Sequence, residues 1–212
     1  MIRLPMIAPL VAGLLLGALA PEADAGSKRS RPVRTEQTTC WNTAGNVIAC
    51  VGTGQDGELR RGEPRAYLDL GDGTIRDQRT ALMWEKLSDD GSIHDKDDRY
   101  TWADAVAVKI ATLNTPPCFA GFCDWRLPNR FELETLIHLQ NISPSVSPAF
   151  NTGCMLGCTV LTCSCIEKAF YWSSSTYTGI PSDAWAVGLE DGSVLRDAKG
   201  KDRYVRAVRA GS

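Results

Sequence analysis

The residues with the clearest chemical potential are cysteines, of which the chain has eight. Cys154, Cys158, Cys163 and Cys165 lie close together, and four thiolates can hold a tetrahedral zinc ion. Their C-x3-C and C-x-C spacings fit a zinc ribbon poorly, whereas an even number of cysteines in an exported chain is typical of disulfides. Cys163 and Cys165 are too close in an extended chain to bridge each other. We therefore predict no metal and expect each of them to pair with Cys154 or Cys158, in an order that stays open.

The other four cysteines are predicted to form two local disulfides. Cys40 and Cys50 flank a turn-rich segment at residues 42–46, and a bridge between them would close a small hairpin. Cys118 and Cys123 enclose only residues 119–122. Such bridges stabilise irregular segments that bury little apolar surface.

Histidine, carboxylate and serine side chains do not form a recognisable catalytic set. His94 lies in an acidic loop, residues 89–98, whose oxygens would suit Ca²⁺, but the EF-hand spacing is missing and a solvated loop is favoured. His138 is expected at the end of a helix, where a cation is stabilised. Ser173, Ser174 and Ser175 lack the Gly-x-Ser-x-Gly context of a nucleophile. We predict no catalytic residue and no cofactor.

Basic and aromatic residues near the C-terminus are the candidate binding surface. Aromatic rings stack on sugars or apolar protein patches, and basic groups bind sulfate or carboxylate. The alternative is a solvated hairpin, because Asp197 and Asp202 offset two charges. We expect the surface at the turn after residues 193–196, with Tyr177 and Tyr204 nearby. The predicted ligand-binding residues are Tyr177, Trp185, Arg196, Lys199, Lys201, Arg203 and Tyr204.

The first 25 residues are predicted to be a signal peptide. Arg3 is a minimal positive region, residues 8–20 are apolar and uncharged, and Ala23-Asp24-Ala25 is an A-x-A cleavage site before Gly26. A retained membrane anchor is the alternative, although the apolar stretch is too short to span a bilayer comfortably. We therefore expect an exported protein, periplasmic, cell-surface or secreted, with no membrane span after signal removal.

The mature chain is expected to begin with two accessory segments. Residues 26–39 are rich in Ser, Arg and Lys and lack apolar periodicity, which predicts a basic flexible arm. Residues 40–65 are predicted to be the disulfide hairpin and a polar connector. The net charge of the whole chain is only −2, so it gives no indication of a nucleic acid as partner, and we predict none.

The main domain is predicted to span residues 66–209 with an α+β fold. Thr101 caps a first helix with a buried face at Trp102, Val106, Ile110 and Leu113, and Asn129 caps a second helix through Glu132. Strands are expected at residues 67–70, 74–77, 82–86, 170–174, 185–189, 193–196 and 204–209. The pattern predicts two helices packed on short antiparallel sheets, stapled by disulfides.

The segment Asp124-Trp125-Arg126 has a structural and a functional interpretation. Asp124 could be a reactive or ligand-binding carboxylate. We favour the structural interpretation, in which Trp125 is a core residue while Asp124 and Arg126 form hydrogen-bonded pairs that fix a strand–helix corner. Trp172 is also expected in the core.

Several short motifs together resemble a bacterial family, the Lcl C-terminal-like domains, which include the C-terminal domain of a collagen-like adhesin. The motifs are Gly71-Asp72-Gly73-Thr74, Leu82-Met83-Trp84, Asp124-Trp125-Arg126-Leu127-Pro128-Asn129, Tyr171-Trp172-Ser173-Ser174 and Val205-Arg206-Ala207-Val208-Arg209. The resemblance implies a C-type-lectin-like fold related to formylglycine-generating enzymes, with a ligand-facing surface after Trp172. Many relatives carry a cysteine where this chain has Ala207, so no bridge to that strand is expected. The calcium-lectin motifs are absent, so calcium-dependent sugar binding is not implied.

These observations predict an exported, non-enzymatic ligand-binding module of the adhesin type. Its ligand would be a glycan or a protein surface. The basic residues are suited to an anionic glycan. One alternative is an enzyme related to formylglycine-generating enzymes, but that chemistry needs a reactive cysteine pair near the ligand surface, and no cysteine follows Cys165. The other alternative is a structural envelope protein that associates with itself into a homo-oligomer. A shared fold does not choose among these functions.

Overall fold

The structure is a computed structural model that describes residues 32–211. The predicted signal peptide and residues 26–31 of the predicted arm lie outside the described residues. Among the described residues, no helix has both the length and the apolar character needed to cross a bilayer.

The described residues contain short strands and shorter helices, so the α+β class is confirmed. The strands are β1 (Cys40–Trp41), β2 (Val47–Ile48), β3 (Tyr67–Asp69), β4 (Thr74–Asp77), β5 (Leu82–Glu85), β6 (Arg99–Tyr100), β7 (Phe170–Thr176), β8 (Asp183–Gly188), β9 (Val194–Ala198), β10 (Arg203–Tyr204) and β11 (Val208–Ala210). The α-helices are α1 (Asp56–Leu59), α2 (Trp102–Asp104), α3 (Ala111–Leu113) and α4 (Arg130–Glu134). A π-helical segment (Ala105–Ile110) joins α2 to α3, and 3₁₀ turns occupy Phe119–Gly121 and Pro148–Phe150.

Two sheets carry the domain. The first has four strands in the order β11-β5-β4-β3, all antiparallel. Its β3–β4 turn needs Gly73, since φ there is +93° and a Cβ would lie 3.1 Å from the ring of Phe119. The second sheet has the order β6-β10-β7-β8-β9, in which β10 and β7 are parallel and the other neighbours antiparallel. The prediction of antiparallel sheets is therefore correct apart from that pair.

The predicted closing strand over residues 204–209 is wrong as one element, because the chain crosses between the two sheets there. β10 ends in the second sheet at Tyr204, and β11 begins in the first at Val208. Between them, Arg206 is fully buried and donates to the carbonyl of Glu85 at 2.8 Å, while the Ala207 N–H donates to the Glu85 carboxylate at 2.9 Å. Buried polar groups need such partners, which is why this crossing is irregular and well bonded.

The first helix buries a different face from the one predicted. Thr101 caps it as predicted, with its side chain accepting from the Asp104 N–H. Val106, predicted to be buried, is 46% exposed, whereas Lys109 is 1% exposed. The physical reason is the π-helical segment, which makes one turn wider than 3.6 residues and so rotates the buried face onto Ala105, Lys109 and Ile110.

The second helix begins as predicted. The Asn129 side chain accepts from the Glu132 N–H, and the Glu132 carboxylate accepts from the Asn129 N–H, so both halves of the capping box are present. Leu133 and Leu136 are fully buried. The helix ends at Glu134, so His138 lies beyond it, and the expected role for His138 at a helix end is wrong.

Four disulfides cross-link the chain. The predicted Cys40–Cys50 and Cys118–Cys123 bridges are confirmed. The sequence left the pairing of the four cysteines in the cysteine-rich loop open. In the structure they form two nested bridges, Cys154–Cys165 and Cys158–Cys163. No cysteine is left free among residues 32–211, which contain all eight.

Residues 32–39, the described part of the predicted arm, are bonded to the domain. Val33 forms a β-bridge with Glu63, and the Thr35 carbonyl accepts from the Leu139 N–H at 2.8 Å. The Gln140 side chain accepts from the N–H groups of Thr38 and Thr39. The backbone of this part of the arm therefore has hydrogen-bond partners that are distant in sequence, which a lack of apolar periodicity does not predict.

Candidate ligand-binding surface

The second sheet and the turn after β7 bring four predicted surface residues into two adjacent clusters. Trp185 on β8 and Arg196 on β9 are cross-strand partners. Tyr177 follows β7, where its N–H donates to the carbonyl of Asp183 at 3.0 Å and so closes the connection to β8. The Tyr177 and Trp185 rings meet edge to face with centroids 5.3 Å apart, a favoured geometry for aromatic pairs.

Arginine side chains lie over both rings. The guanidinium carbon of Arg196 is 4.9 Å from the Tyr177 ring centre, and that of Arg130 is 4.6 Å from the Trp185 ring centre. We call these four side chains, Arg130, Trp185, Tyr177 and Arg196, the aromatic–arginine row. Arg130 could not be predicted as part of this surface, because its position at the start of α4 indicates a helix and gives no sign of the ring 55 positions later.

Each arginine of the row has one carboxylate partner and retains further donors. Arg196 donates to Asp183 at 2.7 Å through one terminal nitrogen, and its side chain is 45% exposed. Arg130 donates to Glu134 at 2.7 Å through Nε. A guanidinium has five N–H donors in a rigid fork, so both remain able to bind an oxyanion.

Lys199 forms a second cation–aromatic contact. Its Nζ lies 4.3 Å from the ring centre of Trp102 and donates to the Thr176 hydroxyl at 2.8 Å. The backbone N–H of Trp102 donates to the Lys199 carbonyl at 3.0 Å, so the loop after β9 is bonded to the start of α2. Trp102 was predicted to be a core residue, yet it also presents a ring to this surface.

Lys201 and Arg203 are largely neutralised. Lys201 Nζ lies 2.8 Å from one oxygen of Asp197, and a terminal nitrogen of Arg203 binds the other oxygen. Burial acts to raise the pKa of Asp197, but the hydrogen bonds from Lys201 and Arg203 outweigh it and lower that pKa. Asp197 therefore offsets the charges of Lys201 and Arg203 more than those of Arg196 or Lys199. The alternative of a solvated hairpin applies to the first two residues more than to the other two.

Tyr204 is not brought to Tyr177. It pairs with Tyr171 on the parallel neighbour strand, with ring centroids 5.6 Å apart, and packs against the buried cluster around Trp84. Tyr171 and Tyr177 are six residues apart along β7 and its extension, which corresponds to about 20 Å. Tyr204 thus packs within the second sheet and is not part of the aromatic–arginine row.

The Asp124-Trp125-Arg126 corner has the predicted structural arrangement. Arg209 Nε donates to Asp124 at 2.6 Å, which lowers the pKa of that carboxyl. Arg126 binds both oxygens of Glu132, at 2.7 and 2.6 Å. The Trp125 ring is buried, and its indole N–H donates to the Phe119 carbonyl at 3.0 Å. Of the two arginines at this corner, Arg209 is buried, whereas the side chain of Arg126 is 44% exposed.

Trp172 is fully buried, as predicted, and its indole N–H donates to the Tyr100 carbonyl at 2.9 Å. The adjacent serine hydroxyls are occupied in local bonding. The Ser173 hydroxyl donates to the carbonyl of Trp185 at 2.7 Å, and that of Ser175 accepts from the Arg130 N–H at 3.1 Å. These hydroxyls therefore fasten β7 to β8 and to α4.

A buried ionic cluster lies away from this surface. The carboxylate of Glu85 binds Lys109 Nζ at 2.5 Å and His94 Nδ1 at 2.7 Å. Burial acts to raise the pKa of Glu85, but the charges and hydrogen bonds of Lys109 and His94 lower it to about 2. The Glu85 and Lys109 side chains are closed to solvent, so their geometry suits an internal ion pair and not a group that meets substrate.

The acidic loop contains its own cation. Carboxylate oxygens of Asp89, Asp95 and Asp97 lie within 4.8 Å of one another. Lys96 Nζ lies 2.6 Å from Asp97 and 3.1 Å from Glu167. An ammonium group among these carboxylates favours the solvated, self-neutralised loop over a cation site.

A comparison with protein families gives a match to the Lcl C-terminal domain over residues 73–209, which is more than half of the chain. The chain belongs to this family. The matched region of this Lcl C-terminal domain contains both arginines of the aromatic–arginine row, the capping box and three of the four disulfides. No curated protein is significantly similar to the chain.

Proposed function

We propose that this protein is an exported, non-enzymatic ligand-binding module that recognises a glycan, neutral or anionic, or a protein surface. Membership of the family and the mixed sheets are compatible with the C-type-lectin-like fold that we also propose for it. The single observation that carries the proposal is the aromatic–arginine row beside the contact of Lys199 with Trp102.

The row offers two kinds of recognition in one place. The half-buried rings of Tyr177 and Trp185 provide apolar area at little cost in side-chain entropy. Arg196 and Arg130 provide forked donors that suit carboxylate or sulfate groups. Because both arginines already lie on rings and carry a carboxylate partner, their geometry is set before a ligand arrives, which reduces the entropy lost on binding.

The test begins with a screen of the oxidised protein against immobilised glycans and cell-surface extracts, followed by titration of the best ligand. Replacing Tyr177 and Arg196 by Ala should weaken binding by about tenfold or more, as expected for central interface residues. The Arg196, Lys199 and Lys201 triple change to Ala should do the same for an anionic ligand. Lys201→Ala alone should have a smaller effect, because Asp197 already neutralises Lys201.

Two controls make the result interpretable. Lys168→Ala removes an exposed cation outside the row and should leave affinity unchanged. Each variant should melt like the unchanged protein, since the row is at the surface. For an anionic ligand, affinity should also fall with salt, because exposed charges are screened over about 8 Å at physiological ionic strength.

Other results would redirect the assignment. Full affinity in the Tyr177 and Arg196 variants would place the ligand elsewhere. Concentration-dependent self-association that these substitutions abolish would favour a structural envelope role. Turnover of a substrate that depends on cysteines 154–165 would favour the enzyme class.

A further inference from the structure

A cleft adjoins the aromatic–arginine row at Arg130, between residues 33–35, α4 and the β8–β9 hairpin. It holds about 300 Å³, which is at the lower end of the range for small-molecule sites. Its lining includes the apolar residues Ile137, Leu139 and Val194, which we call its apolar side, and the arginines Arg34, Arg65 and Arg130.

Arg65 is the unusual residue of this cleft. Its Nε and one terminal nitrogen are buried and have no hydrogen-bond partner. Burial lowers the pKa of Arg65, although the group remains a cation. Buried donors are nearly always bonded in folded proteins, so these two unbonded nitrogens indicate a partner that binds from outside the chain.

The neighbouring carboxylates do not serve as that partner. Glu36 accepts from the backbone N–H of Arg65 at 2.6 Å, and Asp77 accepts from the N–H of Arg79 and the hydroxyl of Thr80. Both carboxylates stabilise the Arg65 charge through space, but neither hydrogen-bonds its Nε or its buried terminal nitrogen.

The cleft wall itself carries an excess of positive charge. Glu134 lines the cleft but is bound to Arg130 at 2.7 Å, and Arg34 Nε donates to the Gly62 carbonyl at 2.8 Å. The wall of the cleft therefore contains three arginines and one carboxylate.

We propose that this cleft binds a small organic carboxylate, whose charged group pairs with Arg65 and whose apolar body lies against Ile137, Leu139 and Val194. A planar carboxylate matches the fork of a guanidinium, and the apolar side distinguishes an organic acid from a bare inorganic anion. The site is separate from the ligand surface proposed above, with which it shares only Arg130.

Hexanoate is a suitable probe, with hexanamide as the uncharged analogue and inorganic phosphate as the bare anion. Titration calorimetry or NMR titration of the oxidised protein should show saturable hexanoate binding. Affinity should rise about fourfold for each methylene from butanoate to hexanoate, which is the transfer free energy of one buried CH₂ expressed as a ratio. Hexanamide should bind about tenfold more weakly, since the charge-assisted pair is lost. Equal binding of hexanamide, or equal binding of phosphate, would overturn the proposal.

Variants of the chain locate the site. Arg65→Met should weaken hexanoate binding by about tenfold or more and should not lower the melting temperature of the unliganded protein, because it removes two buried donors that have no hydrogen-bond partner. Arg99→Gln, a change at an exposed arginine that does not line the cleft, is the matched control and should bind normally. Unchanged hexanoate affinity in Arg65→Met would refute the assignment.

A second variant covers the case in which Arg65→Met does not fold. Leu139→Trp retains Arg65 and fills the apolar side of the cleft, so it should also weaken hexanoate binding. Arg196→Ala should leave hexanoate affinity unchanged, which separates a failure here from a failure of the aromatic–arginine row.

Discussion

The carboxylate of Glu85, on a strand of the first sheet, lies 2.5 Å from the ammonium group of Lys109, in the π-helical segment, and both side chains are closed to solvent. Glu85 also accepts from the Ala207 N–H, and Lys109 also donates to the Ile93 carbonyl. One ion pair thus connects the first helix, the first sheet and the crossing between the sheets.

Removing one member of this pair should be strongly destabilising. Lys109→Met leaves Glu85 as a buried carboxylate without its main counter-charge, and we expect a loss of about 3–5 kcal/mol in the free energy of unfolding. Urea unfolding followed by circular dichroism measures it. Lys168→Met, at an exposed lysine, should change stability by less than about 0.5 kcal/mol. A Glu85→Gln/Lys109→Met double variant should be more stable than Lys109→Met alone, and a near-neutral single variant would contradict the structural role.

Glu85 should also produce a measurable acid dependence. Its pKa is about 2 in the folded protein and about 4.5 for an unperturbed glutamate. A lowered folded-state pKa means that the stabilisation is complete above pH 4.5 and is lost as pH falls from about 4.5 towards 2. The loss amounts to at most about 3 kcal/mol. Unfolding free energies of the unchanged protein and Glu85→Gln should converge over this interval, and parallel curves would contradict the prediction.

Two of the three tryptophans in the family motifs, Trp125 and Trp172, should act as core residues. Trp125 and Trp172 are buried and donate to backbone carbonyls, so each substitution by Ala should cost about 3–5 kcal/mol. Trp41 is 36% exposed, and Trp41→Ala should cost about 1 kcal/mol or less. Chemical denaturation measures all three. Normal stability with lost ligand binding in Trp125→Ala or Trp172→Ala would make that ring a ligand contact instead.

The cysteine-rich loop should contain the nested disulfides. Cys158 Sγ lies only 3.6 Å from Cys165 Sγ, so another order is sterically close and the connectivity is worth measuring. The native protein should show no titratable thiol. In Cys154→Ser, alkylation at acid pH followed by fragment mass spectrometry should label Cys165 and leave the Cys158–Cys163 bridge intact. Label on Cys163 would indicate the alternative order, and bound zinc would reject the disulfides.

Features that depend on neighbours in sequence could be predicted without the structure. Asn129 and Glu132 form a capping box three residues apart, and the bridges Cys40–Cys50 and Cys118–Cys123 close short loops. Most strands were located for the same reason, since alternation and turn residues are local signals. The family motifs, read together, identified the family.

Tertiary structure alone decided which charged groups are buried and which side chains meet. Lys109 enters the core because a π-helical segment rotates its helix towards Glu85, 24 residues earlier in the chain. Tyr204 packs on Tyr171 and leaves the predicted surface, whereas Arg130 joins that surface by lying on Trp185. Residue type and spacing determine local backbone preferences, but burial and pairing depend on the packing of segments distant in sequence, and no local pattern contains that information.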